Sequence, residues 1–330
     1  MRIGLIGTGR IGTFHARTLR GLPEVAELLL ADADPARAAT VAEAVGDATA
    51  LPSPDALLAA APDAVVIASA TASHAELIGA AARAGLPTFC EKPVAADLPG
   101  TVEVLEEVER AGTVLQIGFM RRFDAGYAAA REAVRTGRLG RLHTVRTVTS
   151  DPAPPPPGYL PLSGGLFRDC LVHDVDALRW VTGREVASVY ALGSDGGPPM
   201  FREADDVATA AVLLTLDDGT LVTSTATRLN GAGYDVRMEL AGEREQIAVG
   251  LDPRTPLTSV EPTAEPGGGV AWDGFLTRFA PAYEAELAAF VALARGERAN
   301  PCDGREALAA LRVAEACEVS RREGRAVRPA

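Results

Sequence analysis

The chain has 330 residues, of which 47% are hydrophobic and 23% are charged, and its formal net charge is −12 at pH 7. The length predicts two domains, and the composition is that of an ordinary globular protein. The acidic balance argues against nucleic acid as a partner, because proteins that bind nucleic acid usually carry a basic stripe.

Membrane and metal binding are also disfavoured by the sequence. No stretch reaches the roughly 20 apolar residues that span a bilayer, and Met1-Arg2 leads straight into an apolar run without the features of a signal peptide. We therefore expect a soluble, cytoplasmic protein. The four cysteines form no CxxC pair and lack zinc-ligand spacing, which predicts reduced, mostly buried thiols and no metal site.

Residues 1–120 alternate short apolar runs with amphipathic segments. The predicted strands are Ile3–Ile6, Leu28–Ala31, Ala64–Ala68, Thr88–Cys90 and Val114–Gly118. The predicted helices between them are Ile11–Leu22, Pro35–Val45, Ala72–Ala84 and Leu98–Ala111. This alternation predicts an α/β domain with a doubly wound parallel sheet that is covered by helices on both faces.

Residues 121–330 follow a different pattern, with a helix at Asp124–Thr136 and then mostly strands. The predicted strands are Leu142–Ser150, Val186–Leu192, Val207–Leu216, Leu221–Thr227 and Val236–Ala241. Pro152–Pro157 predicts a rigid loop, and Asp217-Asp218-Gly219 predicts a hairpin turn. With two closing helices, Ala280–Ala294 and Arg305–Glu323, the pattern predicts a second α/β domain with an antiparallel sheet.

A glycine motif follows the first predicted strand and opens the first predicted helix. Gly7, Gly9 and Gly12 form GxGxxG, which permits a tight turn, close approach of the backbone to a pyrophosphate, and close packing of helix on strand. Asp32 lies 20 residues after Gly12 and would accept hydrogen bonds from a ribose diol, which favours NAD over NADP. Asp34 is an alternative for that role, and a structural turn is the alternative for the glycines.

The segment Glu91-Lys92-Pro93 stands at the end of a predicted strand, where open α/β sheets bind ligands. A lysine there is usually a solvated surface charge. Beside a nicotinamide, its ammonium group could hold a substrate hydroxyl and stabilise the developing alkoxide.

A second polar segment runs from Gly164 to Asp176. If it is one helix, Asp169, His173 and Asp176 stand at i, i+4 and i+7 and share a face. Alcohol oxidation needs a base for the hydroxyl proton, and histidine titrates in the right range. A carboxylate one turn away can orient the imidazole. The alternative is an ion pair on the surface of a helix.

The domain junction carries Arg121, which could donate to substrate hydroxyls or to the cofactor. Alternatively, the arginines of this motif pair with Asp124 or cap the sheet. Among the other histidines, we expect His15 and His74 to make structural hydrogen bonds, although His74 lies near the nicotinamide end. His143 stands on a predicted strand without a recognisable partner.

Four motifs in this order resemble those of the Gfo/Idh/MocA oxidoreductase family, and most of all its inositol 2-dehydrogenase branch. The motifs are GTGRIGTFHA at 7–16, FCEKP at 89–93, GFMRRFD at 118–124 and GGLFRDCLVHDVD at 164–176. The resemblance runs nearly from end to end and includes Arg278-Phe279, Tyr283 and Asp303-Gly304-Arg305.

The resemblance implies an NAD-binding Rossmann domain over 1–120. It also implies a substrate-binding and oligomerisation domain over 121–330 with a large open, mostly antiparallel sheet, in a homo-oligomer (dimer or tetramer). It implies a catalytic set of Lys92, Asp169 and His173, with His173 as acid/base. It further implies polyol contacts from Arg121, Asp176 and Tyr234. The predicted cofactor-binding residues are Gly7, Gly9, Arg10, Ile11, Gly12, Asp32, Ser69, Thr71, His74, Glu91 and Lys92.

The chain departs from the inositol dehydrogenase pattern at three places. Ser150-Asp151-Pro152 stands where a His-x-Asn pair is frequent, Ala232 replaces an aromatic residue, and Cys170 replaces threonine or methionine. All three are expected around the substrate pocket. The leading hypothesis is NAD-dependent oxidation of a secondary alcohol of a cyclitol. A dehydrogenase of another sugar or anhydrosugar, and a non-catalytic NAD-binding sensor or co-regulator, stay open as alternatives.

Overall fold

The computed structural model describes residues 1–263 and 269–330. By their internal contacts these form two units, the first made of Met1–Met120 with Pro281–Leu308 and the second of Arg121–Ala280 with Ala309–Ala330. The break after residue 120 coincides with the predicted domain boundary. The segment 281–308 differs from the prediction, because it groups with the first unit.

Residues 1–120 contain six strands: β1 (Arg2–Ile6), β2 (Glu27–Ala31), β3 (Ala48–Ala50), β4 (Ala64–Ile67), β5 (Thr88–Glu91) and β6 (Leu115–Gly118). Five helices alternate with them: α1 (Arg10–Gly21), α2 (Pro35–Val45), α3 (Pro54–Ala59), α4 (His74–Arg83) and α5 (Leu98–Ala111). A short 3-10 helix, Thr71–Ser73, precedes α4. The sequence did not predict β3 and α3, which are too short to show a periodic pattern.

The described part of residues 121–330 contains seven helices: α6 (Ala125–Arg135), α7 (Leu160–Ser163), α8 (Val172–Thr182), α9 (Met200–Glu203), α10 (Phe275–Arg278), α11 (Ala280–Ala294) and α12 (Gly304–Glu323). Its six strands are β7 (Leu142–Ser150), β8 (Val186–Ser194), β9 (Thr209–Leu216), β10 (Leu221–Thr227), β11 (Asp235–Gly242) and β12 (Gln246–Val249). Short 3-10 helices cover Met120–Phe123 and Pro157–Tyr159, and a π-helical turn covers Phe167–Leu171. The strand β12 was not predicted.

The first sheet has the order β3-β2-β1-β4-β5-β6, and its neighbouring strands are parallel. This is the doubly wound order of a Rossmann fold, so the predicted fold of the first domain is confirmed. The chain adds β2 and β3 on one side of β1 and then β4, β5 and β6 on the other side, so the strand order switches between β1 and β4. Ligands of such sheets bind outside the carboxyl ends of the strands at this point, where the loops after β1 and β4 begin.

The second sheet has the order β12-β11-β7-β10-β9-β8. Among the described strands of this sheet, β7 and β10 alone pair in parallel, so the predicted mostly antiparallel sheet is confirmed. The predicted hairpin joins β9 to β10, and Gly219 supplies the positive φ (+87°) that such a tight turn uses. On both strands buried residues alternate with exposed ones, so one face of the sheet is covered and the other is open.

The helix α11 explains why 281–308 belongs to the first unit. Its residues Leu287 and Phe290 are fully buried and pack in one apolar core with Ile3, Leu28 and Phe89. Each such side chain contributes about 2 kcal/mol on burial. The sequence pattern predicted the limits of this helix correctly. It could not show which sheet the helix covers, because the packing of a helix on a sheet depends on long-range contacts.

The longest helix, α12, is rich in arginine and glutamate. No helix within the described ranges combines the length and the apolarity that crossing a membrane requires.

Candidate active site

The glycine motif lies on the turn between β1 and α1. Gly7 has a φ of +97°, and a Cβ there would overlap the backbone of Ser69 in the loop after β4. A Cβ on Gly12 would overlap the carbonyl oxygen of Gly7, whereas a Cβ on Gly9 would meet no atom of the described residues within 4 Å. Gly7 and Gly12 are therefore required by the protein's own packing, and Gly9 leaves an open approach to the backbone.

Gly9 is also the N-cap of α1, a helix of 12 residues. The first N–H groups of a helix have no carbonyl partner within it, and they attract phosphate. Arg10, which is exposed, and Ile11, which is half-buried, open this helix. The open space at Gly9 and the helix N-terminus behind it fit the pyrophosphate of a dinucleotide.

Asp32 follows the end of β2 and is 6% exposed. Its Oδ2 accepts hydrogen bonds from the backbone N–H of Thr8 (2.6 Å) and from the Thr8 hydroxyl (2.9 Å), and its Oδ1 accepts from the N–H of Asp34 (2.9 Å). Burial alone would raise the pKa of this carboxyl, but these hydrogen bonds and the nearby Arg37 together hold the pKa below its ordinary value. The structure thus presents a charged carboxylate at the end of β2, and its contact with a ribose diol stays a prediction.

Asp34 has a different task, because its side chain caps α2. Its Oδ1 accepts hydrogen bonds from the N–H groups of Ala36 (3.0 Å) and Arg37 (3.4 Å). Such a cap is worth about 1 kcal/mol. Of the two candidate ribose acceptors, Asp32 is therefore the one that helix capping does not occupy.

The loop after β4 carries Ser69, Thr71 and, one turn later, His74. The Ser69 hydroxyl is 2.7 Å from that of Ser73, and Thr71 is half-buried in the short 3-10 helix. His74 is 1% exposed, with Nδ1 2.7 Å from the carbonyl oxygen of Pro93 and Nε2 3.1 Å from that of Ser69. A neutral imidazole donates from one of these nitrogens, so the side chain makes a structural hydrogen bond of the kind expected of His74. Its direct contact with the cofactor stays a prediction.

Glu91 is the last residue of β5, and Lys92 follows it in the loop. The carboxylate of Glu91 lies 2.7 Å from Nε2 of His15, and both side chains are buried. The predicted structural role of His15 is therefore confirmed, and its partner is the residue before Lys92. A direct contact of Glu91 with the cofactor stays a prediction.

Lys92 is the only lysine of the chain, because the sequence supplies arginine as its cation at every other place. Arginine keeps its charge under all ordinary conditions, whereas a lysine can lose a proton when its surroundings change. Lys92 is therefore the one side-chain ammonium group that the sequence supplies. This signal was available in the sequence.

In the second unit, Asp169 and His173 do not lie on one regular helix. Asp169 is in the π-helical turn Phe167–Leu171, and α8 begins after it at Val172. The regular spacing assumed for one α-helix therefore does not hold across Leu171, and a shared face of Asp169, His173 and Asp176 stays a prediction. Asp169 and His173 are half-buried, whereas Asp176 is fully buried.

Asp169 is held by two residues that the sequence reasoning missed. Its Oδ2 accepts a hydrogen bond from Nη2 of Arg228 (2.9 Å), and its Oδ1 accepts from the hydroxyl of Tyr159 (3.0 Å). Arg228 follows β10 directly and is 2% exposed, and Tyr159 belongs to the loop that carries the proline run. No local pattern marks either residue, since both meet Asp169 only through the fold.

Burial alone would lower the pKa of Arg228, but Cys170 and Asp169 raise it above its ordinary value. Tyr234 is 4% exposed, and burial raises the pKa of its hydroxyl well above the ordinary value. Asp151 and Cys170 lie within electrostatic range of both side chains. We call Asp151, Asp169, Cys170, Arg228 and Tyr234 the polar cluster.

The polar cluster contains two of the three places where the chain departs from the inositol dehydrogenase pattern, Asp151 and Cys170. The third, Ala232, is exposed in the loop before β11.

Arg121 and Asp176 are both engaged in buried ion pairs. Nη1 of Arg121 donates to Asp174 (2.7 Å) and its Nη2 donates to Thr149 (2.9 Å). The carboxylate of Asp176 accepts from Nε and Nη2 of Arg122, the closest pair being 2.6 Å apart. These contacts tie the start of the second unit to α8 and β7. The predicted contacts of Arg121 and Asp176 with substrate stay predictions.

Two family models match the chain. The model of the oxidoreductase family with an NAD-binding Rossmann fold matches residues 1–119, and that of the Gfo/Idh/MocA C-terminal domain matches residues 127–248. Among curated proteins, a myo-inositol dehydrogenase of Streptomyces leeuwenhoekii is 40% identical, covering 98% of both chains. A myo-inositol 2-dehydrogenase of Thermotoga maritima is 34% identical, covering 99% of this chain and 98% of the relative.

Solved structures of inositol dehydrogenases also superpose on this chain. A myo-inositol dehydrogenase of Corynebacterium glutamicum superposes with a TM-score of 0.90 at 33% identity, covering 99% of this chain and 98% of that one. A scyllo-inositol dehydrogenase of Lactobacillus casei with bound NAD(H) and scyllo-inositol superposes with a TM-score of 0.85 at 27% identity, with coverage of 99% and 98%. The resemblance expected from the four motifs is confirmed, and the chain belongs to the Gfo/Idh/MocA family of NAD-binding oxidoreductases.

Proposed function

We propose that the protein oxidises a ring secondary alcohol of a cyclitol to a ketone with NAD, and that myo-inositol or scyllo-inositol is its substrate. The observation that carries the proposal is full-length similarity to relatives named for these substrates, together with an intact set of Lys92, Asp169 and His173. A sensor on the same fold would have no need of all three.

Bound NAD supplies the acceptor for the hydride that leaves the alcohol carbon. His173 accepts the proton of the substrate hydroxyl, since histidine is the usual general base for such a proton transfer. The ammonium group of Lys92 holds the same oxygen and stabilises the negative charge that develops on it. Asp169 orients His173, and the two hydrogen bonds from Arg228 and Tyr159 fix the position of this carboxylate.

The polar cluster suits a neutral polyol. Polyol hydroxyls both donate and accept hydrogen bonds, and this cluster offers carboxylates, a guanidinium group and a buried phenol. Because Asp151 and Cys170 stand where inositol dehydrogenases usually carry other residues, we propose that they set which hydroxyl of the ring is oxidised.

The test is to mix the purified protein with NAD or NADP and a panel of myo-inositol, scyllo-inositol, glucose and an anhydrosugar, and to follow the absorbance of reduced nicotinamide. Turnover of an inositol with NAD supports the proposal. If only glucose or the anhydrosugar is oxidised, the substrate is that sugar and not a cyclitol. Binding of NAD without turnover of any polyol would favour a sensor.

We also propose a homo-oligomer that forms through the open face of the second sheet. Leu213 and Leu221 on the neighbouring strands β9 and β10 are each 58% exposed on this face, and Leu192 on β8 is 57% exposed. The face forms a depression of about 540 Å³ that mixes such leucines with polar residues. Exposed leucines side by side on a sheet favour association with a second copy of the chain.

Light scattering after size-exclusion chromatography tests this association. Leu213→Asp should shift the wild-type oligomer towards monomer, because it places a charge in the apolar part of the face. Leu162→Asp is the matched control, since Leu162 is 75% exposed but lies on α7, outside the sheet. A monomeric wild type, or an equal shift with both variants, would contradict the proposed interface.

A further inference from the structure

Two buried histidines contact the residues on either side of Lys92. Glu91, before it, is bound through its side chain by His15 of α1, with 2.7 Å between Nε2 and Oε1. Pro93, after it, is bound through its carbonyl oxygen by His74 of α4, with 2.7 Å to Nδ1. Neither histidine has a part in the chemistry proposed above.

The contact of His15 lies among aromatic rings. His15 is fully buried, and its ring centroid lies 5.7 Å from that of Phe89 and 5.8 Å from that of Tyr283. A hydrogen bond in such apolar surroundings is stronger than one in water, because water does not compete for it. It holds the end of β5 against α1, the helix that follows the glycine motif.

The contact of His74 joins two loops. Its Nδ1 faces the carbonyl oxygen of Pro93 in the loop after β5, and its Nε2 faces that of Ser69 in the loop after β4. A carbonyl oxygen only accepts, so each contact is a hydrogen bond when the facing nitrogen carries a proton. The ring is 1% exposed and both nitrogens face the protein's own backbone, so His74 lies between the two loops that it contacts.

We infer that His74 and His15 are positioning residues for Lys92, and that the hydrogen bond from His74 to the Pro93 carbonyl sets where the lysine ammonium group stands. The inference rests on the proposed function for the role of Lys92. A displacement of about 1 Å at a reacting group can cost on the order of 100-fold in rate, so this contact would act on turnover more than on the affinity for NAD.

Three variants of His74 separate its two contacts. The side-chain amide of Asn takes the place of the imidazole Nδ1, and that of Gln takes the place of Nε2. His74→Asn therefore keeps the contact with Pro93, His74→Gln keeps the contact with Ser69, and His74→Phe keeps neither. His143→Asn is the control, because His143 is exposed on β7.

We expect kcat to fall roughly 10-fold to 100-fold in the Phe and Gln variants, with the Kd for NAD within about threefold of wild type. The Asn variant and the control should keep most of the wild-type kcat. A rescue by Gln and not by Asn, a change in Kd for NAD alone, or equal kcat in all variants would overturn the inference. The Asn and Gln variants are both polar, so their comparison stands even if the Phe variant does not fold.

A readout without catalysis is possible because the chain has one lysine. Reductive methylation with isotopically labelled formaldehyde gives one side-chain NMR signal, besides that of the amino terminus. The signal of Lys92 should move in the Phe and Gln variants and stay in place in the Asn variant. The same signal in every variant would overturn the inference. If the wild type oxidises no cyclitol, the proposed function fails, but this readout still tests the positioning of Lys92.

Discussion

The glycine turn of the first unit and the polar cluster of the second differ in how they are assembled. Gly7, Gly9 and Gly12 act through the backbone of one turn, and Asp32 is held by Thr8, only 24 residues away. In the polar cluster, Asp169 is held by Arg228, 59 residues away. A site made of local backbone can be identified from a motif, whereas a site made of distant side chains needs the fold.

The largest effect is expected at Lys92. If Lys92 behaved as an ordinary surface residue, the first unit would contribute the glycine turn and Asp32 to the site but no catalytic side chain. Lys92→Ala should lower kcat by about 1000-fold, because it removes the group that stabilises the alkoxide. The Kd for NAD, measured by fluorescence titration, should stay within about threefold of wild type. Retention of wild-type kcat would show that the lysine is a solvated charge.

The next effect concerns the buried ion pair of Arg122 and Asp176, whose side chains are 4% and 0% exposed. Arg122→Met should lower the free energy of unfolding of the second unit by about 3 kcal/mol, because it leaves a buried carboxylate without its cation. Both tryptophans, Trp180 and Trp272, lie in this unit, so their fluorescence during denaturant unfolding reports on it.

The matched control for Arg122→Met is Arg135→Ala, which breaks an exposed pair with Glu132 whose side chains are 68% and 57% exposed. This variant should cost less than about 1 kcal/mol. Equal stability of the two variants would mean that the Arg122 pair is not structural. It would then favour the predicted contact of Asp176 with substrate.

Gly9 tests the backbone site of the first unit. Gly9→Ala should fold like wild type, because its Cβ meets nothing within 4 Å, but should raise the Kd for NAD by at least about tenfold by crowding the pyrophosphate. Gly21→Ala, at the end of the same helix and equally unobstructed, should leave the Kd unchanged. Wild-type affinity in the Gly9 variant would place the phosphates elsewhere.

The smallest effect is expected for cofactor choice. Asp32→Asn should lower the ratio of kcat/KM for NAD to that for NADP by about tenfold, since it removes the charge that repels the 2′-phosphate. Asp34→Asn removes a charge two residues away and still caps α2, so it should leave the ratio unchanged. Equal shifts in the two variants would show that overall charge, rather than Asp32, sets the preference.

The pH dependence of this preference has a definite sign. The pKa of Asp32 is lowered in the folded protein, so its carboxylate is charged at neutral and mildly acidic pH. It loses this charge only as the pH falls through the lowered pKa. The preference for NAD should therefore be constant from about pH 8 to about pH 5. A loss of preference within that range would mean that another group provides the discrimination.

The sequence predicted the Rossmann domain, the glycine turn and Asp32 because each rests on local patterns: strand and helix periodicity, conformational needs of glycine, and a fixed spacing. It placed Asp169, His173 and Asp176 at regular helical spacing, and it could not show the π-helical turn that interrupts this spacing. It missed Arg228 and Tyr159, which no periodic pattern marks. It assigned 281–308 to the second domain, because long-range packing decides where α11 lies.

The most direct test of the proposed reaction is the transfer of hydride from the alcohol carbon to the cofactor. The protein would be mixed with NAD and myo-inositol that carries deuterium on every ring carbon, and the reduced cofactor would be analysed by mass spectrometry. We expect reduced NAD that is heavier by one deuterium than that formed from unlabelled myo-inositol. Reduced NAD without the label, or no reduced NAD at all, would contradict it.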